Sequence, residues 1–312
     1  MIKKMRRSYK PFKKQVSFSC AVLLLSSVFL LMSSCIPAPE LPDYGLFENL
    51  RDYSIQTFEG AGLVPRSDTP EIFTSEYILD LKGLIKLVFG APQLEVHLFL
   101  YESNEMAAGS LNMFEVPPNS DNYVDFAFSF RPSANLRAPL VHGDVGKAMG
   151  GMDGSFSMDF YNLDKDTLDL DDFFGDQLVK INQALDLVEP YQRQGEDRGK
   201  YIEHLKDYSS VIYRIEIDES YISEDTEEAR KDYHDAALEA YKLYMDAYFT
   251  ALSRLEGEDT VIEGNKDGID AFIDILYDKD FAATMGKQLF GNDFDTYYLD
   301  GFWRDGYYGP GL

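Results

Sequence analysis

The spacing of apolar residues changes along the chain from helical to strand-like and back to helical. Five apolar residues lie on one side of a predicted helix over 46–59: Leu46, Phe47, Leu50, Tyr53 and Ile55. Short apolar segments follow, bounded by Gly, Pro, Asn and Asp. They predict consecutive antiparallel strands at 71–82, 84–89, 94–101, 110–116, 123–130 and 155–161. The segment 123–130 is the clearest, because its phenylalanines alternate with small or polar residues.

The helical spacing returns after Asp164. One apolar stripe predicts a helix that Pro190 closes: Phe173, Leu178, Ile181, Leu185 and Val188. A further strand is predicted at 211–217. A long helix over 224–255 carries a seam more typical of a core than of ligand contacts: Tyr233, Ala237, Tyr241, Tyr244, Tyr248 and Leu252. Strands followed by helices predict an α+β layered sandwich, which we assign to a single domain over 45–312.

Residues 1–35 have the features of a bacterial lipoprotein signal. Met1–Lys14 carries seven Lys and Arg and no acid, residues 16–32 are almost wholly apolar, and Leu31-Met32-Ser33-Ser34-Cys35 places small residues before a cysteine. Lipid on Cys35 would anchor the chain in the bacterial cell envelope, with residues 36–44 as a tether. A plain transmembrane anchor is the alternative, although the apolar segment is short for a bilayer. Both place the mature chain outside the cytoplasm.

The cysteine content limits the available redox chemistry. Cleavage before Cys35 would remove Cys20 and leave one cysteine, with its sulfur attached to lipid. The mature chain would then form no disulfide, hold no iron–sulfur cluster through cysteines and use no thiol nucleophile. Any redox reaction would therefore need an external electron donor.

The mature chain is strongly acidic. Cleavage removes seven cations and no acid, which leaves 22 Lys and Arg against 54 Asp and Glu and a formal charge of −32. Nucleic acids and anionic lipids bind clustered cations. Neither is an expected direct partner, so membrane attachment is expected through the lipid alone.

Familiar phosphate and metal motifs are absent from the sequence. The segment Gly150-Gly151-Met152-Asp153-Gly154 lacks the ending of a phosphate loop and is typical of a hairpin turn. The histidines at 97, 142, 204 and 234 lack metal-ligand spacing. The acidic stretch 164–176 lacks the central Gly and closing Glu of a calcium loop, which favours a solvated helix start with Asp171 or Asp172 near the cap.

Three ordered segments carry the most information: Phe130-Arg131-Pro132, Pro139-Leu140-Val141-His142-Gly143-Asp144 and Met158-Asp159-Phe160-Tyr161-Asn162-Leu163. The two prolines would hold a loop that delivers Asp144 at the start of a strand, facing the same sheet as Asp159. This layout resembles the ferredoxin-dependent bilin reductases and, more distantly, the red chlorophyll catabolite reductases. Their closing helices are similar to 290–303, so the ordered matches span 94–303.

The resemblance implies an α/β/α sandwich with a central antiparallel sheet that holds a linear tetrapyrrole between the sheet and the later helices. The family reduces bilins with single electrons from a ferredoxin and protons from side chains, without a bound metal or flavin. Its main proton donor aligns with Asp144. A carboxyl at the edge of an apolar pocket can stay protonated, because burial disfavours its charge. The alternative is that Asp144 caps a turn.

The remaining candidate residues lie close to Asp144 in the sequence. His142 replaces a family glycine and is a candidate proton relay or hydrogen-bond donor. Asp159 is a candidate ligand-side support on the same sheet face. Arg131, Arg137 and Lys147 would hold propionate carboxylates by charge-assisted hydrogen bonds, or are ordinary surface cations.

Two departures from the family pattern leave the function open. The histidine that some members use beside the bilin falls at Ala127, and a partner glutamate falls near Phe99. The acidic chain would also repel an acidic ferredoxin, and export separates the two. Three functions therefore stand: a lipid-anchored bilin reductase-like enzyme, a non-catalytic lipoprotein that binds a tetrapyrrole or another flat apolar ligand, and a surface interaction protein whose pocket its own 43 Phe and Tyr residues fill.

Overall fold

The computed structural model describes eleven stretches of the chain: 44–66, 77–80, 93–103, 106–115, 123–132, 136–146, 154–163, 168–195, 205–224, 226–255 and 265–279. All of them fall within the unit Pro42–Leu312. The lipobox with Cys35, most of the tether, the strand predicted at 84–89 and the motif at 290–303 lie outside the described residues.

An antiparallel sheet of eight strands forms the centre of the fold. The strands are β1 (Val64–Pro65), β2 (Tyr77–Asp80), β3 (Gln93–Glu102), β4 (Met106–Glu115), β5 (Tyr123–Pro132), β6 (Leu140–Gly146), β7 (Ser155–Tyr161) and β8 (Ile215–Asp218). Their order is β1-β3-β4-β5-β6-β7-β8, with β2 also paired to β3. From β3 to β8, each strand pairs with the next along the chain, so β6 lies well inside the sheet.

Several strand predictions are confirmed, and others need correction. Strands occur at 94–101, 123–130 and 155–161, whereas β4 begins at Met106, before the predicted 110–116. Only the second half of 211–217 joins the sheet, because Val211–Tyr213 forms a turn. Asp144 lies in the middle of β6 and not at the start of a strand.

The described helices are α1 (Leu46–Gly60), α2 (Leu170–Phe174), α3 (Leu178–Val188), α4 (Glu227–Leu252) and α5 (Asn265–Lys279). The long α4 confirms the helix predicted over 224–255. The helix predicted across 173–188 is divided at Gly175, where φ is 52°. Asp169 caps α2, and Asp171 and Asp172 lie in the first turn near this cap, as predicted. The Asp169 carboxylate accepts hydrogen bonds from both of their backbone amides.

One face of the sheet packs against α1, α3 and α4 and holds the hydrophobic core. The ring of Phe128 lies 4.9 Å from that of Tyr241, and the ring of Phe160 stacks on that of Tyr244 at 5.2 Å. Buried phenols need hydrogen-bond partners, and Tyr241 finds one in Ser54 at 2.6 Å. The aromatic seam of α4 is therefore core, as its spacing predicts.

The opposite face of the sheet is approached by α5. The buried Phe272 ring of α5 lies 4.9 Å from the ring of Tyr161, which projects from this face of β7. Helices thus lie on both sides of a central antiparallel sheet. This arrangement confirms the α+β class and the α/β/α sandwich.

Candidate functional site

Polar residues of the central strands meet on the sheet face that α5 approaches. His142 of β6 lies opposite Asp159 of β7. In the next row, Asp144 lies between Ala127 of β5 and Ser157 of β7. Side chains alternate between the two faces along a strand, so residues directly opposite each other share a face. His142, Asp144 and Asp159 therefore project from one face, as expected from the sequence.

A recess opens on this face above β6 and β7. His142, Asp144 and Ser157 are partly exposed. Their neighbours on the same face are buried: Ser110, Ala127, Ser129, Arg131, Asp159 and Tyr161. Partial exposure in the middle of an eight-stranded sheet requires a space above it that admits water. We call this space, floored by His142, Asp144 and Ser157, the β6–β7 recess.

Gly143 lies between His142 and Asp144 on β6, at a point where the strand packs too closely for a side chain. A Cβ atom on Gly143 would lie 2.3 Å from the backbone oxygen of Ser157 and 2.4 Å from Cζ of Phe128. The Phe128 ring occupies this space and packs edge-on against Tyr241. The missing side chain thus lets β6 pack directly against the core beneath the recess.

His142 is neutral near pH 7 and has a defined tautomer. Burial lowers the pKa of His142 to about 4, and Asp144 and the hydrogen bond to Phe128 offset only part of that effect. Nδ1 lies 2.9 Å from the carbonyl oxygen of Phe128. A carbonyl only accepts, so Nδ1 carries the hydrogen and Nε2 carries a lone pair. In the neutral ring Nε2 is therefore a hydrogen-bond acceptor, and the donor Nδ1–H is directed at Phe128.

Asp144 is held through one of its two carboxylate oxygens. The hydroxyl group of Ser157 donates a hydrogen bond to Oδ1, and Oδ2 has no hydrogen-bond partner among the described residues. Since Asp144 lies inside β6, the alternative that it caps a turn is wrong. The arrangement leaves Oδ2 as the oxygen that can exchange a proton with a molecule in the recess.

Asp159 is a fully buried structural support. Oδ1 accepts hydrogen bonds from the backbone and hydroxyl groups of Ser210, at 3.1 and 2.8 Å. Oδ2 accepts from Ser209 at 2.5 Å and from Arg214 at 3.1 Å. Its relative exposure is 0 %. Four donors and complete burial favour the support role over the predicted contact with a ligand.

Arg214 links Asp159 to a longer series of buried charges. Its Nε donates to Glu216 at 2.9 Å, and Arg193 donates to both Glu216 and Asp218. Five side chains therefore alternate in charge: Asp159, Arg214, Glu216, Arg193 and Asp218. We call them the buried ion chain. None of these side chains is more than 10 % exposed.

Four residues of the buried ion chain were not predicted from the sequence: Arg193, Arg214, Glu216 and Asp218. The alternation of apolar and charged residues over 213–218 is typical of a strand with one face in water. Here the segment around Gln192 covers that strand. The side chain of Gln192 donates a hydrogen bond to the backbone oxygen of Arg214 and accepts one from the backbone amide of Glu216, both at 2.9 Å. No local signal in the sequence brings 192–193 beside β8, so the burial was not predictable.

The charges of Arg214 and Asp159 influence the Tyr161 hydroxyl, which lies on the recess face. Burial lowers the pKa of Arg214, but Tyr161, Asp159 and Glu216 together raise it above its usual value. Burial and Asp159 in turn raise the pKa of the Tyr161 hydroxyl. Arg214 therefore stays charged and Tyr161 neutral, which places a fixed positive charge behind His142.

The three predicted anion-binding cations have different placements. Arg131 is buried at 1 % exposure on the face of the recess, so it is not an ordinary surface cation. Arg137 is exposed in the loop before β6. Lys147, like Cys35, lies outside the described residues.

The two positions that depart from the family pattern differ in location. Ala127 lies opposite Asp144 on the face of the recess. Phe99 lies opposite Leu111 and packs against the core on the other face. The residue before Phe99, Leu98, pairs with Asn112, and Asn112 pairs in turn with Ala127.

Within the described stretches, no three His, Cys, Asp or Glu side chains come together in a group that could hold a metal ion. In the same stretches, no helix has the length and apolar character to span a membrane.

Comparison with known proteins identifies the fold. No family model matches the chain, and no curated protein matches it. Among solved structures, it is similar to phytochromobilin synthase from tomato, crystallised in complex with biliverdin. The two share 14 % sequence identity over 83 % of this chain and 82 % of the other, with a TM-score of 0.56. The chain shares the fold of this protein. At this identity the likeness shows the fold alone, and it confirms the fold implied by the sequence resemblance.

Proposed function

We propose that the chain binds a linear tetrapyrrole at the β6–β7 recess and reduces it with external electrons and protons supplied through Asp144. One observation carries this proposal. Asp144 and His142 are partly exposed on a polar sheet face where Ser129, Arg131 and Asp159 are buried. The fold that presents them is similar to that of a protein solved with biliverdin.

The reaction is the saturation of one carbon–carbon double bond of the bilin. It consumes two electrons and two protons and forms two C–H bonds. A one-electron donor of the ferredoxin type, implied by the family resemblance, would deliver the electrons singly. Asp144 gives a proton from Oδ2 and regains one from water in the recess, while Ser157 holds Oδ1. His142, which is partly exposed beside Asp144, is the candidate proton relay or hydrogen-bonding residue next to the ligand.

Cations on the same side would balance the propionate groups of the ligand. Arg131 projects from the recess face of β5 and is already desolvated, which strengthens a charge-assisted hydrogen bond. Arg137 and Lys147 are the further candidates. With a mature charge of −32, the protein needs such local cations to hold a dianionic ligand.

The proposed place of action is the bacterial cell envelope, outside the cytoplasm. Its support is the lipobox ending at Cys35 and the basic and apolar segments before it. Lipid on Cys35 would anchor the protein in the membrane, and no nucleic-acid partner is proposed.

A second candidate function is tetrapyrrole binding without reduction. Ala127 favours it, because this inert residue lies directly opposite Asp144, where the family pattern leads one to expect a histidine. The acidic surface would also oppose an encounter with an acidic electron donor. A third function, in which the protein's own rings fill the pocket, is favoured by the contact of Tyr161 with Phe272 on the recess face. The larger aromatic cluster lies on the other face, which favours the two ligand-binding functions.

The test uses the mature chain with Cys35→Ser, titrated with biliverdin under anaerobic conditions and then supplied with reduced ferredoxin. Reduction is followed as loss of the biliverdin band and growth of a product band. We expect Asp144→Asn to bind biliverdin but to slow reduction about 100-fold or more. The exposed Asp186→Asn on α3 is the matched control. Binding without any spectral change under reducing conditions would leave the binding function alone, and absence of binding would refute both.

A further inference from the structure

A second cavity, of about 440 Å³, lies between α1 and α4 on the core side of the sheet. The C-terminal halves of both helices form its wall, together with the turn after α1 and the residue after β3. The polar and aromatic residues that line it are Tyr53, Thr57, Asp246, Phe249, Thr250 and Ser253. Ligand pockets in proteins have volumes of about 300 to 1,000 Å³. The volume therefore suits a small molecule, and we call this space the α1–α4 cavity.

The charges around the α1–α4 cavity offset one another. Among the described residues that line it, Asp246 carries the only charge, and none is Lys, Arg or His. Lys180 pairs with Asp246 at 2.5 Å. At the rim, Lys242 lies 5.8 Å from the centre of the Tyr53 ring and 4.0 Å from the carboxylate of Glu239. A phosphate or carboxylate ligand is bound by cationic side chains, and a cationic ligand would compete with Lys180 for Asp246. The cavity therefore favours an uncharged ligand.

Hydroxyl groups make up most of the polar lining. Five of the eleven described lining residues carry one, so the cavity offers donors as well as acceptors, because each hydroxyl donates one hydrogen bond and accepts two. Gly60 and Leu252, the last residues of α1 and α4, also line the cavity. Carbonyl groups at the end of a helix lack a partner within the helix and add acceptors. Such a lining suits a ligand whose own groups both donate and accept, as sugar hydroxyls do.

Phe249 gives the cavity a fixed apolar surface. Its ring is partly exposed. It packs edge-on against the ring of Phe130 at 5.7 Å and against that of Tyr248 at 5.4 Å. These contacts with core rings fix its position. A pyranose ring has C–H groups on its faces and hydroxyl groups around its edge. It can therefore pack one face against Phe249 while its hydroxyls form hydrogen bonds with the polar lining.

We propose that the α1–α4 cavity binds a small neutral saccharide. Phe249 packs against the C–H face of a sugar ring, while Asp246, Thr57 and Thr250 form hydrogen bonds with its hydroxyl groups. This inference is independent of the tetrapyrrole function, because the α1–α4 cavity and the β6–β7 recess lie on opposite faces of the sheet.

The experiment titrates the mature chain carrying Cys35→Ser with glucose, galactose, mannose and N-acetylglucosamine. Binding is measured by isothermal titration calorimetry and by saturation-transfer NMR. We expect at least one of these sugars to bind. Asp246→Ala should weaken that binding at least about tenfold, because a hydrogen bond to a charged group is lost. Thr250→Val keeps the shape of the side chain, removes its hydroxyl group and should weaken binding about fivefold.

Asp235→Ala is the matched control, because Asp235 is exposed on the same helix and pairs with Lys231 outside the cavity. It should bind the sugar as the wild type does, and circular dichroism establishes that each variant is folded. Glucuronate and putrescine test the charge preference: tighter binding of either than of every neutral sugar would overturn the proposal. A folded wild type that binds none of the four sugars would do the same. Biliverdin titration of the same protein tests the β6–β7 recess separately.

Discussion

The buried ion chain predicts a large stability cost for a single substitution, Arg214→Met. Arg214 donates to Asp159 at 3.1 Å and to Glu216 at 2.9 Å, and the three side chains are 4 % exposed or less. Removing one partner of a buried ion pair leaves an uncompensated charge and costs about 3 to 5 kcal/mol. Asp159 keeps three other donors and Glu216 keeps Arg193. We therefore expect the lower end, about 3 kcal/mol.

The assay is urea unfolding of the wild type and the variant, followed by circular dichroism. In thermal unfolding, the same loss corresponds to roughly 6 to 12 °C in Tm for a domain of this size. Lys180→Met is the control, because Lys180 pairs with Asp246 at 2.5 Å on the surface, where the side chains are 33 % and 53 % exposed. An exposed pair contributes less than about 1 kcal/mol. If both substitutions lower the free energy of unfolding equally, the buried ion chain stabilises the fold no more than an exposed ion pair does.

Two further substitutions test the residues that floor the recess. Gly143→Ala places a Cβ 2.3 Å from a backbone oxygen and should destabilise the fold by about 1 to 3 kcal/mol, measured by urea unfolding; a neutral effect would contradict the close packing on Phe128. His142→Gln tests the pH dependence: the pKa of His142 is about 4 in the fold and about 6.5 when unfolded, so between these values the unfolded chain binds more protons. Above pH 6.5 the His142 ring should make its full contribution to the free energy of unfolding of the wild type. As the pH falls to 4, the wild type should lose up to about 3 kcal/mol of that free energy, and His142→Gln should lose correspondingly less. Equal pH dependence in the two proteins would show that the fold does not keep the His142 ring neutral.

The sequence predicted those features that depend on local pattern. Alternating phenylalanines identified β5, and the tyrosine spacing identified α4 and its buried side. The proline, histidine and aspartate motifs that carry the family resemblance led to two of the three residues that the recess exposes, His142 and Asp144. These signals are readable because each depends on neighbours within a few turns or one strand.

The features that sequence reasoning missed depend on distant contacts. Asp159 has the same carboxyl group as Asp144, yet only its contacts with 209–214 determine that it is inaccessible. Arg214 and Glu216 follow a half-exposed strand pattern, and burial results from residues twenty positions earlier in the chain. The tautomer of His142 likewise depends on a carbonyl of the neighbouring strand, fourteen residues away.

The distribution of buried charge separates the roles of the two sheet faces. The buried charged residues of the described strands all lie on the recess face: Arg131, Asp159, Glu216 and Asp218. Apolar residues of similar size often stabilise a fold as well as or better than buried ion pairs, so stability alone does not account for these charges. Burial is the main cause of the lowered pKa of His142, and the positive charge of Arg214 lowers it further. The aromatic face therefore stabilises the fold, while burial on the charged face keeps His142 neutral beside Asp144.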